Sequence, residues 1–217
     1  MEMIEVIRSR HSVRKYKNDV IENEKRLVLN NLIDECNKVS GLKMQICYDE
    51  MEAFDTFMAH YGRFDNVKNY IAIVAKKGME EKVGYYGEKI VLKAQELGLN
   101  TCWVALTYGK GKVKVNIEKD EKLICVISVG YGESQGFPHK SKKEKDIVVG
   151  EVPEWAKVGV EACLLAPTAV NQQKFRIIFD GNNVAIVKRG IGFYTDVDLG
   201  IVKCHFEAAT GIKVIDF

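Results

Sequence analysis

The chain has only 3 prolines in 217 residues, and none of its 6 cysteines belongs to a Cys-x-x-Cys pair. The thiols Cys36, Cys47, Cys102, Cys125, Cys163 and Cys204 are scattered, several inside apolar runs such as KLICVISV. That pattern predicts buried reduced thiols and argues against a disulfide framework or a metal cluster. No apolar run approaches the roughly 20 residues that span a bilayer. The N-terminal MEMIEVIRSRHSVRKYK mixes charge with apolar residues where a secretory signal would be continuously apolar. These absences predict a cytoplasmic protein with no membrane partner. A net charge of +2 gives no bulk attraction to polyphosphate, so no nucleic-acid partner is expected.

Several catalytic signatures are also missing. No Gly-x-Gly-x-x-Gly opens a helix after a strand, and YGKGKVK and VGYGESQG lack the Walker spacing. The histidines His11, His60, His139 and His205 show no metal-ligand spacing. No Ser-His-Asp or Cys-His arrangement stands out, so spacing offers no hydrolase nucleophile. His205 is expected to be packed or hydrogen-bonded.

What is present is the composition of a globular domain, 47% hydrophobic and 29% charged. Apolar spacing predicts helices over residues 3–9, 24–36, 50–60 and 80–97, the last ended by Gly98. It predicts strands in NYIAIVAKK, TCWVALT (101–107) and KLICVISVGY (122–131). PEWAKVGVEACLLA reads as a helix with proline in its first turn and Trp155, Val158, Ala162 and Leu165 facing inward. FRIIF and VAIV read as a hairpin around Asp180-Gly181-Asn182-Asn183, followed by the helix VDLGIVKCHFEAAT and a short strand IKVIDF. A faint repeat links LIDECNKVSGLKMQICY (32–48) to GVEACLLAPTAVNQQKFRIIF (159–179), each passing from helix through a turn to a strand.

Two basic segments are candidates for anion binding. In RSRHSVRKYK, an extended backbone would point Arg10, Ser12 and Arg14 to one side. Guanidinium forks beside a hydroxyl suit a phosphate; a solvated basic turn capping the preceding helix explains the same residues. HKSKKEKD offers Lys140 and Lys142, either as a solvated loop or as a second cationic arm on the same phosphate.

Four segments together resemble the FMN-dependent nitroreductase family. RHSVRKY (10–16) is similar to its N-terminal Arg-x-Ser-x-Arg-x-aromatic signature, and EKIVLKAQELGLNTCWVAL (88–106) resembles its central helix and following strand. LICVISVGYGES resembles its Gly-Tyr strand end. APTAVNQQKF (166–175) resembles its Ala-Pro-Ser-x-x-Asn-x-Gln-Pro-aromatic turn, with Thr168 for the serine and Lys174 for the second proline. The turn comes late in the chain, after the Gly-Tyr strand, which is similar to a divergent branch of the family.

The resemblance implies an α+β fold, a three-layer α/β/α arrangement whose central, mostly antiparallel sheet is flanked by helices. It implies one domain over 1–217, as a pseudo-dimer with halves near 1–150 and 151–217 if the repeat is a duplication, and hence a monomer or a homodimer. It implies FMN held at its phosphate by Arg10, Ser12 and neighbouring His11, with Lys140 and Lys142 assisting and Arg14 toward the pyrimidine edge. Pro167, Thr168 and Asn171 would form the ribityl or ring contacts. Backbone near Thr101 would flank the ring, and Trp103 would either stack there or belong to the core. NADH or NADPH would donate hydride, and a small nitroaromatic, quinone or similar electron acceptor would receive it. A non-catalytic flavin-binding protein on the same fold is the alternative.

Overall fold

The computed structural model of the chain describes residues 2–214. Along it run α1 (Met3–Ser9), α2 (Asn23–Ser40), β1 (Lys43–Cys47), α3 (Phe57–Tyr61), β2 (Tyr70–Lys76), α4 (Glu80–Glu96), β3 (Asn100–Val104), β4 (Glu121–Gly130), α5 (Glu144–Ile147), β5 (Val148–Val149), α6 (Lys157–Leu165), β6 (Phe175–Asp180), β7 (Asn183–Lys188) and α7 (Thr195–Thr210). They fall into two compact units. One combines Arg10–Met79 with Ile90–Phe137 and holds a four-stranded sheet; the other combines Met1–Ser9, Glu80–Lys89 and Pro138–Phe217 and holds a three-stranded sheet.

In the four-stranded unit the order is β1-β2-β4-β3, antiparallel throughout. β2 is buried along nearly its whole length, as its unbroken run YIAIVA requires of a strand covered on both faces. Helix α2 is tied to β1 by Asn37, whose side chain donates to the Met44 carbonyl and accepts from the Met44 amide, both at 2.8 Å. Gly41, at φ +75°, supplies the left-handed turn between them. Phe54, Phe64, Tyr70 and Tyr108 form an aromatic cluster within this core.

Sequence patterning places most of these elements, with four departures. Residues 50–60 are not one helix: Thr56, extended at φ −143°, caps a fresh start by accepting the Ala59 amide, so only Phe57–Tyr61 is helical. β3 stops at Val104, short of residue 107. Pro153 sits just ahead of a 3₁₀ turn at Glu154–Ala156, and the buried side of α6 is Gly159, Val160, Ala162 and Cys163, with Trp155, Val158 and Leu165 only half-buried. The reason is Gly159, which lies against the Phe206 ring, closer than any side chain would permit. The strand expected over 212–217 falls in part on residues 215–217, outside the described residues, and 212–214 form no strand. All six cysteines are buried.

In the three-stranded unit β5 pairs parallel with β6, and β6 pairs antiparallel with β7 through a tight turn at Gly181 and Asn182. The first half of α4 lies directly on α7. A Cβ at Gly84 would come within 1.9 Å of the Val197 carbonyl oxygen, and one at Gly200 within 1.9 Å of the Glu81 carbonyl oxygen. These reciprocal glycines bring the two backbones into contact. The seam is flanked by Lys203 paired with Glu81 at 2.7 Å and by Tyr85 donating to Glu207 at 2.6 Å. Beneath it His205 is fully buried, with Nε2 2.8 Å from the Glu88 carboxylate and Nδ1 2.9 Å from the Ala162 carbonyl, so one imidazole links α7, α4 and α6. Outside this seam Arg8 of α1 forms a fork with Glu161 of α6 at 2.7 and 2.8 Å.

The seam predicts a sharp asymmetry among glycine substitutions. Gly84→Ala and Gly200→Ala each push a methyl group into backbone, and should cost at least about 3 kcal/mol in denaturant unfolding. Gly111→Ala, where a Cβ meets nothing within 4 Å, should change stability by less than about 0.5 kcal/mol.

Candidate functional site

The N-terminal basic segment belongs to the four-stranded unit and is sewn to its sheet as an extended strand. Ser12 bridges Thr101 in parallel, and the Val13 amide donates to the Thr101 carbonyl at 3.0 Å. Farther along, the Tyr16 amide donates to Asp65 at 3.2 Å and the Lys17 amide to Tyr131 at 2.8 Å. Tyr16 is buried, donates its hydroxyl to the Val13 carbonyl at 2.7 Å, and shares a 2.8 Å bond with Ser128. The Gly-Tyr-Gly end of β4 leaves room for this segment: a Cβ at Gly132 would lie 2.8 Å from Val13 Cγ1, and one at Gly130 3.1 Å from the Tyr16 ring.

The bridge lays this segment along β3, whose Cys102 thiol is buried. Burial pushes that thiol above its ordinary pKa, while the Arg14 charge, a hydrogen bond with Ser12 and the Arg10 charge each pull it down. Arg10 is only 3% exposed, and Arg14 lies open with its guanidinium 5.8 Å from the Phe64 ring centre. His11 is half-buried; burial first, then the Arg10 charge, lowers its pKa. Thr101 is buried and Trp103 half-buried on β3. Two guanidiniums and a hydroxyl on one extended segment, one cation held in the fold and one open, are a donor set of the kind that suits a phosphate and an electron-rich ring edge.

Lys140, Lys142, Pro167, Thr168 and Asn171 belong to the three-stranded unit, where they come together around the turn after α6. Ala166, at φ −64° and ψ 134°, takes the extended conformation that the following proline demands, and α6 ends there. Beyond it Val170, Asn171 and Gln173 all have positive φ, at 46°, 53° and 45°. For β-branched Val170, 91% exposed, that conformation is strained.

A dense set of hydrogen bonds holds the strained backbone. Thr168 Oγ1 accepts the Gln173 amide at 3.0 Å. Asn171 Nδ2 and Gln173 Nε2 both donate to the Lys140 carbonyl, at 2.9 and 3.0 Å. Lys142 Nζ donates to the carbonyls of Gln172 and Gln173 at 3.0 and 2.7 Å, while its amide donates to Gln173 Oε1 at 2.8 Å. The base of the turn rests on buried Asp198, which accepts the Ala169 amide at 2.8 Å and Gln172 Nε2 at 2.7 Å.

Sequence reasoning found the turn and missed its support. Asp198 looks like any acidic residue in a helix's first turn, and Gln172 and Gln173 look like loop amides. Only the spacing of small polar residues after Pro167 marked the place. His205, expected to be packed or hydrogen-bonded, is both.

Comparison with known proteins agrees with this architecture. The family model described as "Putative TM nitroreductase" matches residues 2–210. A crystal structure described as a "putative nitroreductase" from Thermotoga maritima is similar at 24% identity with a TM-score of 0.70, over 96% of this chain and 83% of that one. Another, a "putative nitroreductase in complex with FMN" from Desulfovibrio desulfuricans, is 16% identical with a TM-score of 0.53, over 70% and 98%. A "putative NADH oxidase" from Clostridium acetobutylicum is 23% identical with a TM-score of 0.51, over 65% and 96%. No curated protein matches. The fold, an antiparallel sheet flanked by helices, is the nitroreductase fold. The chain belongs to the family whose model spans nearly all of it. No helix among the described residues is long and apolar enough to cross a membrane.

The Asp198 support carries a pH dependence. Burial raises its pKa from 3.8 to about 6, against the opposing hydrogen bonds from Ala169 and Gln172. A pKa raised on folding gives stability that is full below the unfolded value and is lost as pH rises through the folded one. Wild type should therefore lose on the order of 1–3 kcal/mol relative to Asp198→Asn as pH rises from about 4 to about 6, measured by urea unfolding of both proteins.

Proposed function

We propose that the chain is an FMN-dependent oxidoreductase that takes reducing equivalents from NADH or NADPH and passes them to a small acceptor such as a nitroaromatic or quinone. The observation that carries this reading is the extended segment bearing Arg10, Ser12 and Arg14, two guanidiniums and a hydroxyl, fixed to β3 by the Ser12–Thr101 bridge. Family membership, and similarity to structures described as an FMN complex and an NADH oxidase, support it.

When bound, the flavin supplies the hydride chemistry. The chain's part is binding and electrostatics, so no acid–base side chain is assigned. Arg10 and Ser12 would hold the phosphate by charge-assisted and hydroxyl hydrogen bonds, with His11 assisting. Arg14, the open cation, provides positive charge toward the ring's pyrimidine edge. Thr101 and Trp103, on the strand that the segment joins, would flank the ring.

The test is titration of the protein with FMN. Arg10→Ala should weaken FMN binding at least about ten-fold, since a charge-assisted contact is worth about 1.5–3 kcal/mol. Arg10→Lys, which keeps the charge and loses the fork, should fall between. Wild-type protein that takes up no FMN would remove the proposal.

A further inference from the structure

Neither His205 of α7 nor Glu88 of α4 has any exposed surface, and the two ring nitrogens of the histidine fix a proton count. Nδ1 lies 2.9 Å from the Ala162 carbonyl oxygen, which can only accept, so Nδ1 carries a proton. Nε2 lies 2.8 Å from a Glu88 carboxylate oxygen. A bare imidazole nitrogen and an ionised carboxylate are both acceptors, and in a buried site at that distance their lone pairs repel. One further proton therefore lies between them, on Nε2 in an imidazolium–carboxylate pair or on the carboxyl in a neutral pair.

The titratable groups that flank this point are engaged elsewhere. On α4, Glu81 pairs with Lys203 of α7, Tyr85 donates to Glu207, which also pairs with Lys213, and Lys89 lies over the Tyr85 and Tyr86 rings. On α6, Glu161 pairs with Arg8 of α1, which also takes Glu5, and the Cys163 thiol, pushed up by burial, donates to the Val202 carbonyl. The Cys204 thiol is buried, Asp198 accepts the Ala169 amide and Gln172, and Lys188 of β7 pairs with Asp196. Glu88 is the ionisable group that meets the imidazole.

We propose that Glu88 and His205 form a proton-dependent latch, a buried pair that joins α4, α6 and α7 while one proton is held between them. A free carboxylate and a free imidazole together bind two protons below about pH 4.3, one between about 4.3 and 6.5, and none above. Folding thus takes up a proton at this pair above about pH 6.5, and the unfolding constant gains about ten-fold per pH unit there. The titration of Asp198, near 6, lies below that window. Because α7 also carries Asp198, release of the latch at alkaline pH slackens the support of the strained turn.

The test is Glu88→Gln, whose amide can donate to a neutral Nε2 while Nδ1 still donates to Ala162. Wild type and variant are unfolded in urea at pH 7 and pH 8, so that groups common to both cancel. The unfolding constant of wild type divided by that of the variant should rise about ten-fold over this interval, the signature of one proton. A ratio constant within about two-fold overturns the latch. Should the variant fail to fold, NMR of histidine-labelled wild type at pH 8 decides. Two exchange-protected protons should correlate with His205, one at Nδ1 and one at Nε2; a proton at Nδ1 alone overturns the proposal. Both measurements stand whether or not the chain binds flavin.

Discussion

Two helices can touch backbone to backbone only where neither carries a side chain at the crossing, and the seam between α4 and α7 meets that condition twice. Gly84 and Gly200 face the opposite helix's carbonyls at distances a methyl group could not occupy. The consequence reaches beyond packing. With α7 fixed against α4, its first turn is fixed too, and Asp198 in that turn is the anchor for Ala169 and Gln172. A backbone with Val170, Asn171 and Gln173 at positive φ would relax without such anchors. The glycine seam, the buried Glu88–His205 contact and the strained turn therefore form one chain of dependence within the three-stranded unit.

The same logic, with different parts, holds the N-terminal segment. Tyr16 takes the role of anchor, buried and bonded at both Val13 and Ser128, while the glycines at the end of β4 leave space for it. Rigid support behind a donor set is what a binding site requires, because positioning paid for by the fold is not charged to the ligand. In the four-stranded unit the segment proposed for flavin binding is already held by backbone hydrogen bonds at Val13, Tyr16 and Lys17.

Much of this was legible in the sequence. β2 declares itself by its apolar run, α4 by its long stripe, and the hairpin by Asp-Gly between alternating segments. The alternate spacing of Arg10, Ser12 and Arg14 is a pattern that extended backbone turns to one side, and the segment is bridged to β3 as such backbone is. The inward face of α6 was not legible, since hydropathy gives Gly159 little weight and the Phe206 ring that covers it lies far along the chain. Asp198 was hidden for a similar reason: its importance comes from the amides it accepts, 26 and 29 residues away.

The central claim is that this chain is a flavin enzyme, and one spectrum tests it most directly. Protein purified and loaded with FMN should be yellow, and under anaerobic conditions NADH or NADPH should bleach the oxidised flavin absorbance, with a nitroaromatic or quinone restoring it. A protein that stays colourless after incubation with FMN, or a bound flavin whose spectrum neither nicotinamide changes, would contradict the account.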